Sequence, residues 1–335
     1  MVLFALLCGV CLVVAVAYVG MARLRQDAAA VGASSEPLAD AETLARVSSG
    51  PRLLFLQTDD YAYRFISMAP LDAANGPRAR SALQCHRIHF AAGRGLCLGQ
   101  YLGGHGAFIF GTDLQPRHTF QTVGIPSRVR VSADGRYGAL TVFVAGHSYA
   151  QTDFSTQTLL VDMASGETLA DLEQFTVFRD GEQFQEVDFN FWGVTFARDS
   201  NRFYATLRTG GNTYLVEGDL ARREARILRE GVECPSLSPD GARLAFKKRM
   251  ADSADGRPIW NLYLLDLATM QERPLGETRG VDDQVEWLDD AHLLYSRTDE
   301  ALLPRVVPDI WVLPIDGSAP PRIFQPRALS PVVVR

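Results

Sequence analysis

The chain has 335 residues, of which 47% are hydrophobic, and its 33 Lys and Arg against 39 Asp and Glu leave a net charge of −6. That is enough apolar material for a large folded core, and an acidic balance that argues against a nucleic-acid surface, which normally requires a basic stripe. Five cysteines do not form a disulfide framework.

Val2 to Ala22 carries no charged residue and is long enough to span a bilayer as a helix. The triplet Ala15-Val-Ala17 offers the alternative of a cleavage site, but the apolar run continues past it, so residues 1–22 are expected to form a retained membrane anchor. Arg23 and Arg25 follow the run and no basic residue precedes it, a flank that by the positive-inside rule prefers the cytoplasm. Cys8 and Cys11 read as membrane-facing residues within it. Residues 23–50 are rich in Ala, Ser and Gly and lack a sustained apolar period, the composition of a flexible tether. A short spacer helix fits around Leu38 to Val47.

From residue 51 a unit recurs in which an apolar strand ends in a short polar turn and a second apolar strand follows at once. Its copies run from Ile88 to Leu98, Val129 to Val142, Val194 to Thr206, Cys234 to Phe246 and Val285 to Ser296. The anchors Phe90, Val131, Phe196, Leu237 and Trp287 lie 41, 65, 41 and 50 positions apart, periods that point to solenoids, propellers or arrays. Each period also holds a second hairpin signal, from Tyr63, Ala107, Thr158, Thr213, Asn261 and Asp309 onward. Four strands per period make a propeller blade. The outer signal occurs six times and the complete inner one five times. Arg52-Leu-Leu-Phe-Leu-Gln57 supplies a sixth second strand and Ala328-Leu-Ser-Pro-Val-Val333 a sixth first strand. Residues 51–335 are therefore expected to form an all-β, six-bladed propeller of four-stranded antiparallel blades, closed by pairing strands from both ends. Closure removes the open sheet edges that invite aggregation.

Leu237-Ser-Pro-Asp-Gly-Ala-Arg-Leu-Ala-Phe246, followed by Trp260-Asn-Leu-Tyr-Leu-Leu-Asp266, resembles the repeat of TolB-like six-bladed propellers. The resemblance runs from about residue 51 to the end and implies the propeller fold and an extracytoplasmic, cell-envelope location. TolB itself carries an additional N-terminal α/β domain for which this chain has no room.

Candidate chemistry is sparse. Ala145-Gly-His-Ser-Tyr-Ala150 has the look of a nucleophile elbow, which would pair Ser148 with His147 or with Asp153 in a hydrolase. An elbow turns straight into a helix, whereas Gln151 to Thr158 has no helical period, so catalysis is not expected and no cofactor is implied. His86 and His89 lie three apart, which on a strand sends them to opposite faces, and no Cys/His pair has zinc spacing. Asp134, Asp199, Asp240 and Asp289 recur as turn residues that bond their own backbone. Cys85 and Cys97 flank one inner hairpin, either bridged or as two buried thiols; Cys234 has no evident partner.

Binding is expected on the face carrying the longer connections, at Gly99 to Ala107, Ala145 to Thr156, Leu172 to Trp192, Lys247 to Asn261 and Arg297 to Asp309. Phe178, Phe184 and Trp192 belong to an aromatic-rich insertion, either partner anchors or an extended hairpin turning at Asp180-Gly181 with its aromatics packed on a neighbouring blade. Arg208, Lys248, Arg249 and Arg297 end second strands near the channel mouth, where they suit either an anionic ligand or a rim of mixed charge, and His147 is a further binding candidate. The reading is a membrane-tethered propeller that binds a protein or an envelope polymer, with a small-ligand sensor using the channel as its alternative.

Overall fold

The computed structural model describes residues 41–59, 63–73, 78–144, 155–253, 256, 258–298 and 307–335. The expected membrane anchor at 1–22 and most of the tether lie outside them. Among the described residues no helix is long and apolar enough to cross a membrane. The last residues of the expected tether form helix α1 (Ala41–Ser48), which packs on the first blade through Leu44 and the buried Val47. Arg52 donates to the Ser48 carbonyl at its end, at 2.9 Å.

Six sheets follow one another around an axis. The first is the stitched blade, in which β26 (Ala328–Val334) lies inside β1 (Arg52–Asp59), β2 (Tyr63–Pro70) and β3 (Ala79–Gln84). Leu53 pairs with Val333, Leu54 with Val332 and Leu56 with Leu329, so the two ends of the propeller share one ladder. The remaining innermost strands are β4 (Arg87–Ala91), β8 (Ile125–Val131), β14 (Asn190–Phe196), β18 (Glu233–Leu237) and β22 (Glu286–Asp289). Each sheet is covered on both faces, because a separate apolar cluster fills each of the six blade-to-blade interfaces. That explains why Leu53-Leu-Phe-Leu56 is an unbroken apolar run: alternate residues face opposite neighbours, and all four are at most 1% exposed.

An innermost strand has no ladder partner on its axial edge, and a buried unpaired N–H is costly. Side chains from neighbouring blades supply the partners. His89 Nδ1 accepts from Val131 N–H at 3.0 Å, Thr195 Oγ1 from Leu237 N–H at 3.1 Å and Ser330 Oγ from Ile88 N–H at 3.2 Å. Gly193 lies so close to the fifth blade that a Cβ there would stand 2.7 Å from the Cys234 Cα, at a φ of +65° that already favours glycine. Cys85 and Cys97 form a disulfide with their Cα atoms 5.7 Å apart, and Cys234 is a buried free thiol.

The turn aspartates hold the short turns as expected. Asp240 accepts from Ala242 N–H at 2.9 Å, and Ser238 accepts from Arg243 N–H at 3.0 Å. The Ser238 hydroxyl, then the Ala242 N–H, hold the Asp240 carboxyl down at about 2.

Two of the expected long connections differ. Gly99 to Ala107 is not a loop: β5 (Arg94–Tyr101) and β6 (Gly104–Phe110) run through it and turn at Leu102 and Gly103. Most of Leu172 to Trp192 is also regular. A turn at Leu172–Gln174 leads to β12 (Thr176–Arg179), which pairs in parallel with β17 (Glu224–Glu230) on the outer edge of the fourth blade, and β13 (Glu182–Phe184) folds back on β12. This strap makes the fourth sheet six-stranded. Phe175 and Val177 are buried in the interface between the third and fourth blades, which is the hairpin alternative of the two weighed for this insertion.

Burial, then the neighbouring Asp171 carboxylate, push the Glu173 carboxyl at the foot of the strap up to about 7. A carboxyl whose folded-state pKa lies above its unfolded value stabilises the fold while protonated and loses that contribution as pH rises through the interval, here from about 4.5 to about 7. Hydrogen-exchange protection factors of residues 172–184 are thus expected to fall between pH 5 and pH 8 and to become flat in Glu173→Gln; an unchanged profile in that variant would rule Glu173 out as the cause. Ending the chain at Arg327 is expected to abolish the cooperative urea transition, whereas Cys97→Ser should keep it and lower stability by about 3 kcal/mol for so short a loop. A cooperative transition in the truncated chain would show that the ring does not need its closing strand.

Candidate functional site: the channel mouth

The axis is blocked at mid-depth by a polar plug drawn from all six blades. Arg130 of β8 meets Glu286 of β22 at 2.5 Å, with both side chains nearly enclosed. Arg130 also donates to the Val285 carbonyl at 3.2 Å and to Ser236 Oγ at 3.4 Å. His89 Nε2 stands 3.6 Å from Glu286. Since His89 Nδ1 accepts from a backbone N–H, the ring is neutral with its proton on Nε2, in keeping with a pKa lowered by burial and then by Arg130. Gln284 donates to the carbonyls of Val194 at 3.1 Å and Pro235 at 2.9 Å, and Val333 N–H of the closing strand points at Glu286 from 3.5 Å. Only about 30 Å³ of space remains at this level.

Above the plug, on the face where second and fourth strands end, the axis opens into a cleft of about 920 Å³. Its floor is charged. Arg87 Nε and Arg128 Nη1 both donate to the Ser127 carbonyl, at 2.8 and 2.9 Å, so the two guanidinium groups converge on one atom. Arg87 also donates to the His86 carbonyl at 3.0 Å. Its pKa falls to about 10, through burial and then the charge of Arg128. Asp282 approaches Arg128 at 3.8 Å and pairs closely with Lys247. Lys247 lies over the Trp260 ring at 4.3 Å, and the Trp260 indole donates to Glu233 at 2.9 Å. Cys234 lines the same cleft; burial pushes its thiol up, so it is neutral. Phe143 and Trp192 form an apolar wall.

The fold gathers some of the residues expected from the sequence and separates others. Arg208, Lys248 and Trp192 line the cleft. Lys248 pairs with Glu272 and Arg249 with Asp252 at 2.9 Å, so part of the rim is a mixed-charge surface. Arg297 lines an adjoining recess of about 160 Å³ that shares Arg87 and Asp282 with the cleft. Phe178 and Phe184 stand elsewhere, on the outer-edge strap, where Arg179 covers the Phe184 ring at 3.9 Å. His147, Ser148 and Asp153 lie outside the described residues. The sequence reading missed Arg87, Arg128, Lys247, Glu233 and Asp282. The available signal was a basic residue inside an apolar first strand, as in Arg128-Val-Arg130-Val131.

No protein-family model and no curated protein matches the chain. Solved structures do. TolB from Acinetobacter baumannii superposes with a TM-score of 0.61 at 14% identity, over 84% of this chain and 66% of that one. The fold is TolB-like. A putative TolB from Agrobacterium tumefaciens gives a TM-score of 0.51 at 10% identity, over 82% of this chain and 87% of that one. A chain of a nidogen/laminin complex gives 0.56 at 14% identity, over 85% of this chain and 99% of its own. Identities this low establish the propeller architecture and leave the activity to the site itself.

Removing one partner of a buried ion pair strands the other charge. Glu286→Gln is therefore expected to cost about 3–5 kcal/mol in urea unfolding, against less than about 1 kcal/mol for Asp113→Asn, which opens the exposed pair with Arg117. Equal small losses would show that the plug does not hold the blades together.

Proposed function

We propose that the protein is a non-catalytic, extracytoplasmic binding module, held at the membrane by its N-terminal apolar segment, and that it presents the channel-mouth face to a protein or polymer of the cell envelope. The observation that carries this reading is the cleft itself, which sets an apolar wall of Phe143 and Trp192 beside a basic floor. Rigid scaffolds bind through such concave surfaces at the ends of their strands. The opposite face consists of short turns whose polar groups are used internally, as at Asp134 and Asp240. The nidogen/laminin assembly, in which a similar chain was solved, is an association between proteins, and the TolB-like fold together with the Val2–Ala22 run supports the envelope location.

A photo-crosslinking residue replacing Phe143, which is 37% exposed at the cleft, tests the reading in cells that make the protein. It is expected to yield one discrete adduct that is absent when the same residue replaces Ser165, in a turn on the opposite face. Equal adducts from the two positions, or none from either, would contradict it.

A further inference from the structure

The charge of the channel mouth runs against that of the chain. The cleft and the adjoining recess are lined by eight basic and four acidic side chains, in a protein whose net charge is −6. Some of this is neutralised at the rim, and at the floor the carboxylates of Asp282 and Asp283 offset part of the charge of Arg87 and Arg128, but the floor guanidinium groups keep hydrogen-bonding capacity. Among the described residues the Arg87 guanidinium donates only to the carbonyls of Ser127 and His86. The Arg128 guanidinium has the same Ser127 carbonyl, the Cys234 side chain, and a carboxylate 3.8 Å away that also pairs with Lys247. Among the described residues Arg128 Nε has no hydrogen-bond partner, and in the recess neither do Arg297 Nε and Nη1. Cys234 adds no negative charge, being a neutral thiol. Two planar guanidinium forks fixed by main-chain carbonyls, with carboxylate-binding capacity unused, form a preorganised seat for a planar oxyanion. The cleft is in the size range of small-molecule sites, and Phe143 and Trp192 line it together with the charged floor.

We propose that the channel mouth is a binding site for a small, ring-bearing organic carboxylate, whose carboxylate oxygens accept hydrogen bonds from Arg87 and Arg128 while its ring lies against Phe143 and Trp192. The site lies on the face assigned to the larger partner, yet it does not depend on that assignment, because it is tested on the purified chain with no partner present. Asp282 tunes it. That carboxylate, largely exposed on its side chain, pairs with Lys247, which also has Glu233 at 3.8 Å, and faces Arg128, so removing its charge leaves the floor more positive toward the ligand.

Isothermal titration of the detergent-purified full chain with benzene-1,3,5-tricarboxylate, its neutral triamide and inorganic phosphate tests the site. The tricarboxylate is expected to bind, more weakly as salt rises, and the triamide not to bind. Arg128→Gln should weaken the tricarboxylate at least about tenfold, the loss of one charge-assisted hydrogen-bonding group. Asp282→Asn should tighten it by roughly threefold or more, from the loss of one nearby like charge. The second variant keeps the proposal falsifiable if the first disturbs folding, since damage to the fold does not increase affinity. No binding of the tricarboxylate, equal binding of the triamide or of phosphate, or weaker binding to Asp282→Asn would each overturn it.

Discussion

Ring closure is the constraint from which the other features follow. Every blade buries both faces against its neighbours, so an open ring would leave two large apolar sheet faces in water. The ladder between β1 and β26 prevents this by bringing residues near both ends of the propeller into one sheet. Ser330 extends the join sideways: it sits where the β26 register shifts, its hydroxyl bonds both the N–H and the carbonyl of Ile88 in the next blade, and its own N–H reaches Ser296 in the last.

Closure also dictates what happens on the axis. Six inner strands converge with their free edges toward one another, and their polar groups need partners without a sheet to provide them. The solution is a shared set of side chains, with Arg130 and Glu286 at its centre and His89, Gln284, Thr195 and Ser330 around it. The plug leaves little space on the axis at its own level, and the mouth opens beyond it. Basic groups crowd at that mouth, and a concave, partly apolar site focuses their field outward. Binding therefore has a natural place at one end of the axis, while the opposite turns are committed to holding strands together.

Much of this was legible in the sequence, and what was not has physical reasons. The strand-turn-strand copies and their spacing pointed to six blades because most of the turns carry an Asp that closes them, as at Asp134, Asp199, Asp240 and Asp289, although the second-blade turn Ala91 to Arg94 has none. The terminal strands were recognisable because Leu53-Leu-Phe-Leu56 is apolar at every position, the mark of a strand buried on both faces. Gly99 to Ala107 was misread as a loop because its glycines mimic turn composition. Gly103 does make the turn between them, but Gly99 and Gly106 serve close packing inside the two strands, where a Cβ on Gly106 would stand 2.6 Å from the Tyr101 Cβ and one on Gly99 2.8 Å from the Gln84 carbonyl. The aromatic insertion after Leu172 could not be assigned to the outer edge from sequence, since its parallel pairing with β17 spans nearly fifty residues and has no local pattern. The charged floor was hidden for a similar reason. Arg87, Arg128, Lys247 and Asp282 come from four different blades or their connections and meet only when the ring closes.

Hydrogen-exchange footprinting of the full chain, with and without detergent-extracted envelope from its own cells, would test most directly whether the mouth face is the binding face. Added protection is expected at residues 208–213, 230–234 and 247–249, which surround the cleft. Protection confined to the turns at 132–137, 197–202 and 238–243 would place binding on the opposite face and contradict the account.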